Sequence, residues 1–273
     1  MSRTDVLAAD VLAAGALAAG AAAPVGRLQG QVAFVAGATG PVGRAVVHAL
    51  AAEGARVGVH WRSDEAAAQH LLASVQGDLL AVAADLDDER ALDAAAGAVE
   101  GHLGAVTLLV NAAHPRQDVH TAVADTAAGD LLAQLIGAAG HAALLRRFVP
   151  GMRRAGTGRI VYIAGALMAR PAAGNGAYGA AKAAASVLTR YTALEEGRHG
   201  ITANVVAPGR IVDPAGEEEL SPERAALAAR LLERMALPTF PSPQHVADAV
   251  LGLLAAPYVT GQTLWVTGGE PIA

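Results

Sequence analysis

The chain has 273 residues, 20 Lys+Arg against 25 Asp+Glu for a net charge of −5, and no cysteine. This excludes a disulfide framework, a thiolate metal site and a cysteine nucleophile, and the lack of a Lys/Arg block argues against a nucleic-acid partner. Hydrophobic residues reach 53% with only 3% aromatic because 68 residues are alanine, so the core is made of small side chains that approach closely and bury little area each.

Residues 11–25, VLAAGALAAGAAAPV, are uncharged and loosely resemble a secretory leader. Asp5 and Asp10 stand upstream of them, and the run falls short of the roughly 20 residues that span a bilayer. The reading is an Ala-rich arm over 1–27, ahead of one domain over 28–273. From Gly30 onward, β-like runs at 31–36, 56–60, 79–83, 106–110, 159–163, 201–207 and 263–266 alternate with Ala/Leu-rich stretches. Those stretches, at 42–53, 64–75, 88–100, 126–154, 176–197, 221–236 and 243–256, are long enough for helices. Strict alternation predicts an α/β fold: a doubly wound, parallel, seven-stranded Rossmann sheet with helices on both faces. Segments 208–220 and 238–243 are irregular and read as loops. Ligands of such sheets bind at the carboxyl ends of the strands.

The first strand runs into Gly37-Ala38-Thr39-Gly40-Pro41-Val42-Gly43, and a helix follows. Gly37, Gly40 and Gly43 permit a tight turn and close approach to a pyrophosphate, which Thr39, Val42 and the helix N-terminus then meet with donors. The second strand ends at His60-Trp61-Arg62-Ser63, with no acid to take a ribose 2′-hydroxyl. Arg62 can face a 2′-phosphate and Trp61 can lie by the adenine, which favours NADP(H) over NAD(H).

Later features complete a pattern. Asp85-Leu86 follows strand three, and Asn111-Ala112-Ala113-His114 follows strand four. Tyr178 and Lys182 stand four apart on one helix face. NVVAPG spans 204–209, with Ile211 beyond it, and Tyr258–Gln262 and Gly268-Gly269 close the chain. In this order and spacing the chain resembles the one-domain short-chain dehydrogenase/reductase family from about Leu28 to its end. The resemblance implies that Tyr178 exchanges a proton while a hydride moves between nicotinamide and a carbonyl carbon. It implies that Lys182 binds the nicotinamide ribose and lowers the Tyr178 pKa, and that Asp85 contacts the adenine. It further assigns Leu86, Asn111, Pro208, Gly209 and Ile211 to the cofactor.

The same resemblance exposes departures: in the turn, Ala36 and Pro41 stand where the family has Thr and its middle Gly, and two more lie at the catalytic end. The family places a serine 13 residues before the tyrosine, where this chain has Gly165, and no Ser or Thr lies between Gly158 and Tyr178. The family's helical asparagine falls on Gly137, and no Asn lies between Asn111 and Asn175. The missing serine removes an oxyanion donor, a loss of roughly 10²–10³ in rate. Three readings stand: an NADP(H)-dependent ketoreductase with an incomplete tetrad, a non-redox enzyme (dehydration or cyclisation) using Tyr178, or a weakly active cofactor-binding partner subunit. The two glycines are expected to enlarge the cleft for a bulky ketone. His114 reads either as a substitute donor or as a loop histidine. The nine histidines show no metal-ligand spacing and are read mostly as surface or loop residues. A small-molecule carbonyl substrate, no membrane, a cytoplasmic location and a homodimer or homotetramer complete the expectation.

Overall fold

The computed structural model describes residues 26–117, 119–213 and 222–270. The arm expected over 1–27 lies outside them as far as residue 25. Seven strands, β1 (Val32–Ala36), β2 (Arg56–Trp61), β3 (Leu79–Ala83), β4 (Leu108–Asn111), β5 (Gly158–Ile163), β6 (Ile201–Pro208) and β7 (Thr263–Val266), form one sheet in the order β3-β2-β1-β4-β5-β6-β7. Every pairing is parallel. Order reverses between β1 and β4, so the carboxyl ends of those strands open a crevice.

Alternation along the strands decides the two faces. Ala33 and Val35 of β1 pack with α1 (Pro41–Ala52), α2 (Glu65–Ser74) and α7 (Pro243–Leu254) through Val46, Leu50, Leu71 and Val250. Val32, Phe34 and Ala36 face α3 (Glu89–Leu103) and α4 (Ala128–Ala155) through Val99, Leu144 and Phe148. Helix α5 (Gly176–Glu196) covers β5 and β6 on that same side, around Tyr162 and Val205. Small residues permit the close approach expected of the composition: a Cβ at Gly58 would stand 2.8 Å from Val99 of α3. Helix α4 is long and apolar enough to cross a membrane, yet here Leu144, Phe148 and Met152 are buried against the sheet.

Helix α6 (Pro222–Leu232) ends before the expected residue 236. The chain leaves the helix to lie on Gly268 and Gly269, both at positive φ, where Leu237 N–H donates to the Gly268 carbonyl at 2.8 Å. A side chain at either glycine would strike Met235 or Ala236. The loop expected over 208–220 is described to Asp213, and Pro208 belongs to β6.

Candidate active site

The turn after β1 is shaped by backbone constraints. Gly37 sits at φ +72°, and a Cβ there would lie 2.7 Å from backbone atoms of Ala113. A Cβ at Gly43 would lie 2.2 Å from the Gly37 carbonyl oxygen. Gly40 caps α1 without a side-chain bond, and Pro41 occupies its first turn. Arg44 N–H donates back to the Gly40 carbonyl at 2.9 Å, so the Val42 and Gly43 amides remain as donors at the positive end of the helix.

His60 locks this turn from below. Gly37 N–H donates to its Nδ1 at 3.2 Å, so its Nε2–H donates to the Ala84 carbonyl at 3.1 Å. Burial pushes the imidazole down to about 4, which keeps it neutral. The reading of most histidines as surface or loop residues therefore does not extend to His60 and His141, which are 2% and 0% exposed, whereas His114 does lie in the loop after β4, half-buried. Their partners are supplied by distant segments, which local sequence does not display.

A cavity of about 340 Å³ opens beside the turn, lined by Thr39, Gly40, Trp61, Arg62, Asp85 and Leu86 among others. The Arg62 Nη1 is 4.0 Å from Asp85 Oδ2, with 60% of its side chain exposed. Asp85 stands beside Asp87 and raises the Asp87 carboxyl above its ordinary value, chiefly through a hydrogen bond between them. On the far side Gly209 N–H donates to the Val266 carbonyl at 3.0 Å, next to Pro208, and Ile211, like Val42 and Ala112, packs against the buried cluster beneath β1. Arg44 reaches Asp213 at 3.3 Å, tying α1 to the segment after β6. A turn that a Cβ at Gly37 or Gly43 would block and free helix amides fit the pyrophosphate of a nicotinamide dinucleotide.

Asn111 is placed differently from the other proposed cofactor residues. Its side chain turns into the core: Oδ1 accepts from Ala113 N–H at 2.9 Å and Nδ2 donates to His141 Nδ1 at 3.2 Å. His141 Nε2–H then donates to Thr189 Oγ1 at 3.0 Å, and that hydroxyl donates to the Ala185 carbonyl at 2.9 Å. The chain fixes the loop 112–114, through which Asn111 acts on the cavity.

At the other end of the crevice, α5 carries Tyr178 and Lys182 on one face, as their spacing predicts. Lys182 is 4% exposed and donates from Nζ to the Ile163 carbonyl at 2.8 Å. Its Nζ stands 5.2 Å from the Tyr162 ring centre and 5.7 Å from that of Tyr178. Burial pushes Lys182 down to about 7 and Tyr178 up to about 12. The expected lowering of the tyrosine by the lysine is thus outweighed in this structure: the ammonium sits over ring faces, and desolvation of the phenolate dominates.

The two glycines differ. Gly165 lies in extended backbone beside the phenol, and a Cβ there would be 3.1 Å from Tyr178 Oη. The space at Gly137 is filled. A Cβ there would be 2.5 Å from His114 Nδ1 and 2.9 Å from Pro115 Cδ. The expectation that both glycines enlarge the cleft is corrected at Gly137, because an imidazole from the loop after β4 stands in the vacated volume. His114 Nε2–H donates to Gln134 Oε1 at 3.2 Å, and Gln134 Nε2 donates to the Arg116 carbonyl at 3.0 Å. Burial, with the Lys182 charge second, pushes His114 down to about 3. The described residues contain no cluster of three metal-ligating side chains.

Comparison with known proteins gives concordant matches. The family model described as Enoyl-(Acyl carrier protein) reductase matches residues 37–270. The chain is 33% identical over 249 residues to the (2S)-[(R)-hydroxy(phenyl)methyl]succinyl-CoA dehydrogenase subunit BbsC of Thauera aromatica, covering 88% of this chain and 94% of that one. It is 34% identical over 232 residues to the inactive 2-(S)-hydroxypropyl-CoM dehydrogenase 2 of Xanthobacter autotrophicus, covering 83% and 97%. A solved short-chain dehydrogenase/reductase from Serratia marcescens superposes with a TM-score of 0.79 at 30% identity, covering 89% and 99%.

Proposed function

The chain belongs to the short-chain dehydrogenase/reductase family, and within that family of oxidoreductases we propose that it is an NADP(H)-dependent ketoreductase in which Tyr178 gives the proton. The observation that carries this reading is the pairing of the glycine turn with a half-buried Tyr178 and a buried Lys182 across one crevice. When bound, the nicotinamide supplies the hydride. Gly37, Gly40, Gly43 and Thr39 would hold the pyrophosphate with the Val42 and Gly43 amides. Arg62 would take the 2′-phosphate, Trp61, Asp85 and Leu86 the adenosine, and Pro208, Gly209 and Ile211 the nicotinamide side. Asn111 would keep loop 112–114 in place. Lys182 would reach the ribose with the N–H groups it does not spend on Ile163.

Burial keeps the Tyr178 phenol protonated at neutral pH. It is therefore a donor toward a carbonyl oxygen, which suits reduction. Lys182, held near 7, can release a proton and take one back in the same pH range. Without a serine at 165, the oxyanion meets Tyr178 as its donor. A bulky ketone is supported by the Gly165 opening alone. Exposed Leu132, Leu188, Tyr191 and Leu194 on α4 and α5 support a homodimer or homotetramer, and a small-molecule substrate in the cytoplasm accords with a family member of this fold.

A second reading is favoured by two facts together. Glycines stand at 165 and 137, where the resemblance expects Ser and Asn, and similar proteins include one named as a dehydrogenase subunit and one named as inactive. In that reading the chain binds cofactor and completes a hetero-oligomer. The deciding experiment is an NADPH-dependent assay on a ketone panel, run with wild type and Tyr178→Phe. Turnover lost in the variant supports the reductase. A partner complex whose turnover is untouched by Tyr178→Phe supports the subunit.

A further inference from the structure

Tyr178 makes no hydrogen bond through its phenol to any described residue, so packing must hold its ring in place. Among the described residues one ring stands against it: His114, edge-on, with centroids 5.0 Å apart and planes at 87°. The imidazole is itself clamped. Its Nε2–H is taken by Gln134, which is 6% exposed and whose amide is oriented by the Arg116 carbonyl. Its Nδ1 is buried with no partner and lies over the space at Gly137.

We propose that His114 is the positioning residue for Tyr178, and that His114 and Gly137 form one compensated exchange: the polar group has moved from α4 to the loop after β4. Each half requires the other. Any side chain at 137 would collide with the clamped ring, and removing the ring would leave a void beside the phenol. A buried nitrogen without a partner costs free energy, and is tolerated here where the same ring seats the acid. An imidazole that stays neutral suits this role, since a charged ring there would repel Lys182. The effect on rate rests on Tyr178 being the proton donor; the seating itself does not.

The test is a double-mutant cycle read by melting temperature and by tyrosine NMR. Gly137→Ala alone should lower Tm by about 5 °C. In the His114→Ala background it should lower Tm by less than half as much, the remainder coming from Pro115. Additive shifts would overturn the exchange. With 13Cζ-tyrosine, four signals are expected, and loss of one in Tyr178→Phe assigns Tyr178. His114→Ala should move that signal toward the position of the fully exposed Tyr258, and Gln134→Leu, which unclamps the ring, should move it the same way. A Tyr178 signal unmoved in both variants overturns the positioning role. On a ketone that is turned over, His114→Ala should lower kcat about tenfold with cofactor KM within about twofold, and His114→Gly/Gly137→Asn should recover part of that loss. A moved signal with unchanged turnover upholds the seating and overturns instead the reading of Tyr178 as the acid.

Discussion

The two ends of the crevice are built from different materials. The glycine-turn end is mostly backbone: the positive φ of Gly37, the close approach at Gly43, and amides at the start of α1. The chemical end is mostly side chain: Tyr178, Lys182 and His114, beside two glycines. The turn requires glycine at Gly37 and Gly43, where a Cβ would strike backbone, so Ala36 and Pro41, standing where the family's turn has Thr and Gly, leave it intact. Pro41 removes an N–H that the first helical turn does not need. A side-chain site loses one function for each group deleted, and in the exchange proposed above the His114 ring, which occupies the space at Gly137, refills part of it.

The largest effect should therefore come from the side-chain end. Tyr178→Phe is expected to cut ketone reduction by about 10²–10⁴ while NADPH affinity stays within about twofold, read by steady-state kinetics and a binding titration. If affinity collapses as well, the two ends are not separable. Next, Gly165→Ser returns a donor beside the phenol. Its Cβ requires the ring to yield by a few tenths of an ångström, so a gain of roughly tenfold is expected, below the full worth of such a donor. An unchanged or lower rate would show that the chemistry has been redirected.

At the adenosine end, Arg62→Gln should weaken NADPH about tenfold, near 1.4 kcal/mol, and leave NADH alone; equal losses would remove the 2′-phosphate assignment. The last effect is on stability against pH. The unfolded imidazoles titrate near 6.5, whereas the fold holds His60 at about 4 and His114 and His141 at about 3. Below 6.5 the unfolded chain binds the extra protons, so the stability contributed by these neutral rings is fully present above that pH and is lost as pH drops through 4 toward 3. Chemical denaturation at pH 7, 6 and 5 should show that decline, and His60→Asn should reduce its slope; a flat profile contradicts the buried neutral rings.

Sequence was most informative where local pattern sets structure. Every strand lies within two residues of its expected limits, because short apolar runs between glycines and polar turns leave few alternatives. The glycine turn and the i,i+4 Tyr178/Lys182 pair were legible for the same reason. The interior histidines were not. His60 is defined by Gly37 and Ala84, and His141 by Asn111 and Thr189, partners that only the folded sheet brings together. His114 and Gly137 are 23 positions apart, and neither residue announces that one occupies the other's space. The raised Tyr178 was equally hidden, since desolvation depends on what covers the ring.

Cofactor binding by the glycine turn and Arg62, independent of Tyr178, is tested by titrating NADPH and NADH against the fluorescence of Trp61, with Trp265→Phe removing the other tryptophan. The account predicts saturable binding of NADPH, at least about tenfold tighter than NADH and unchanged in Tyr178→Phe. No saturable change with either nucleotide would contradict it.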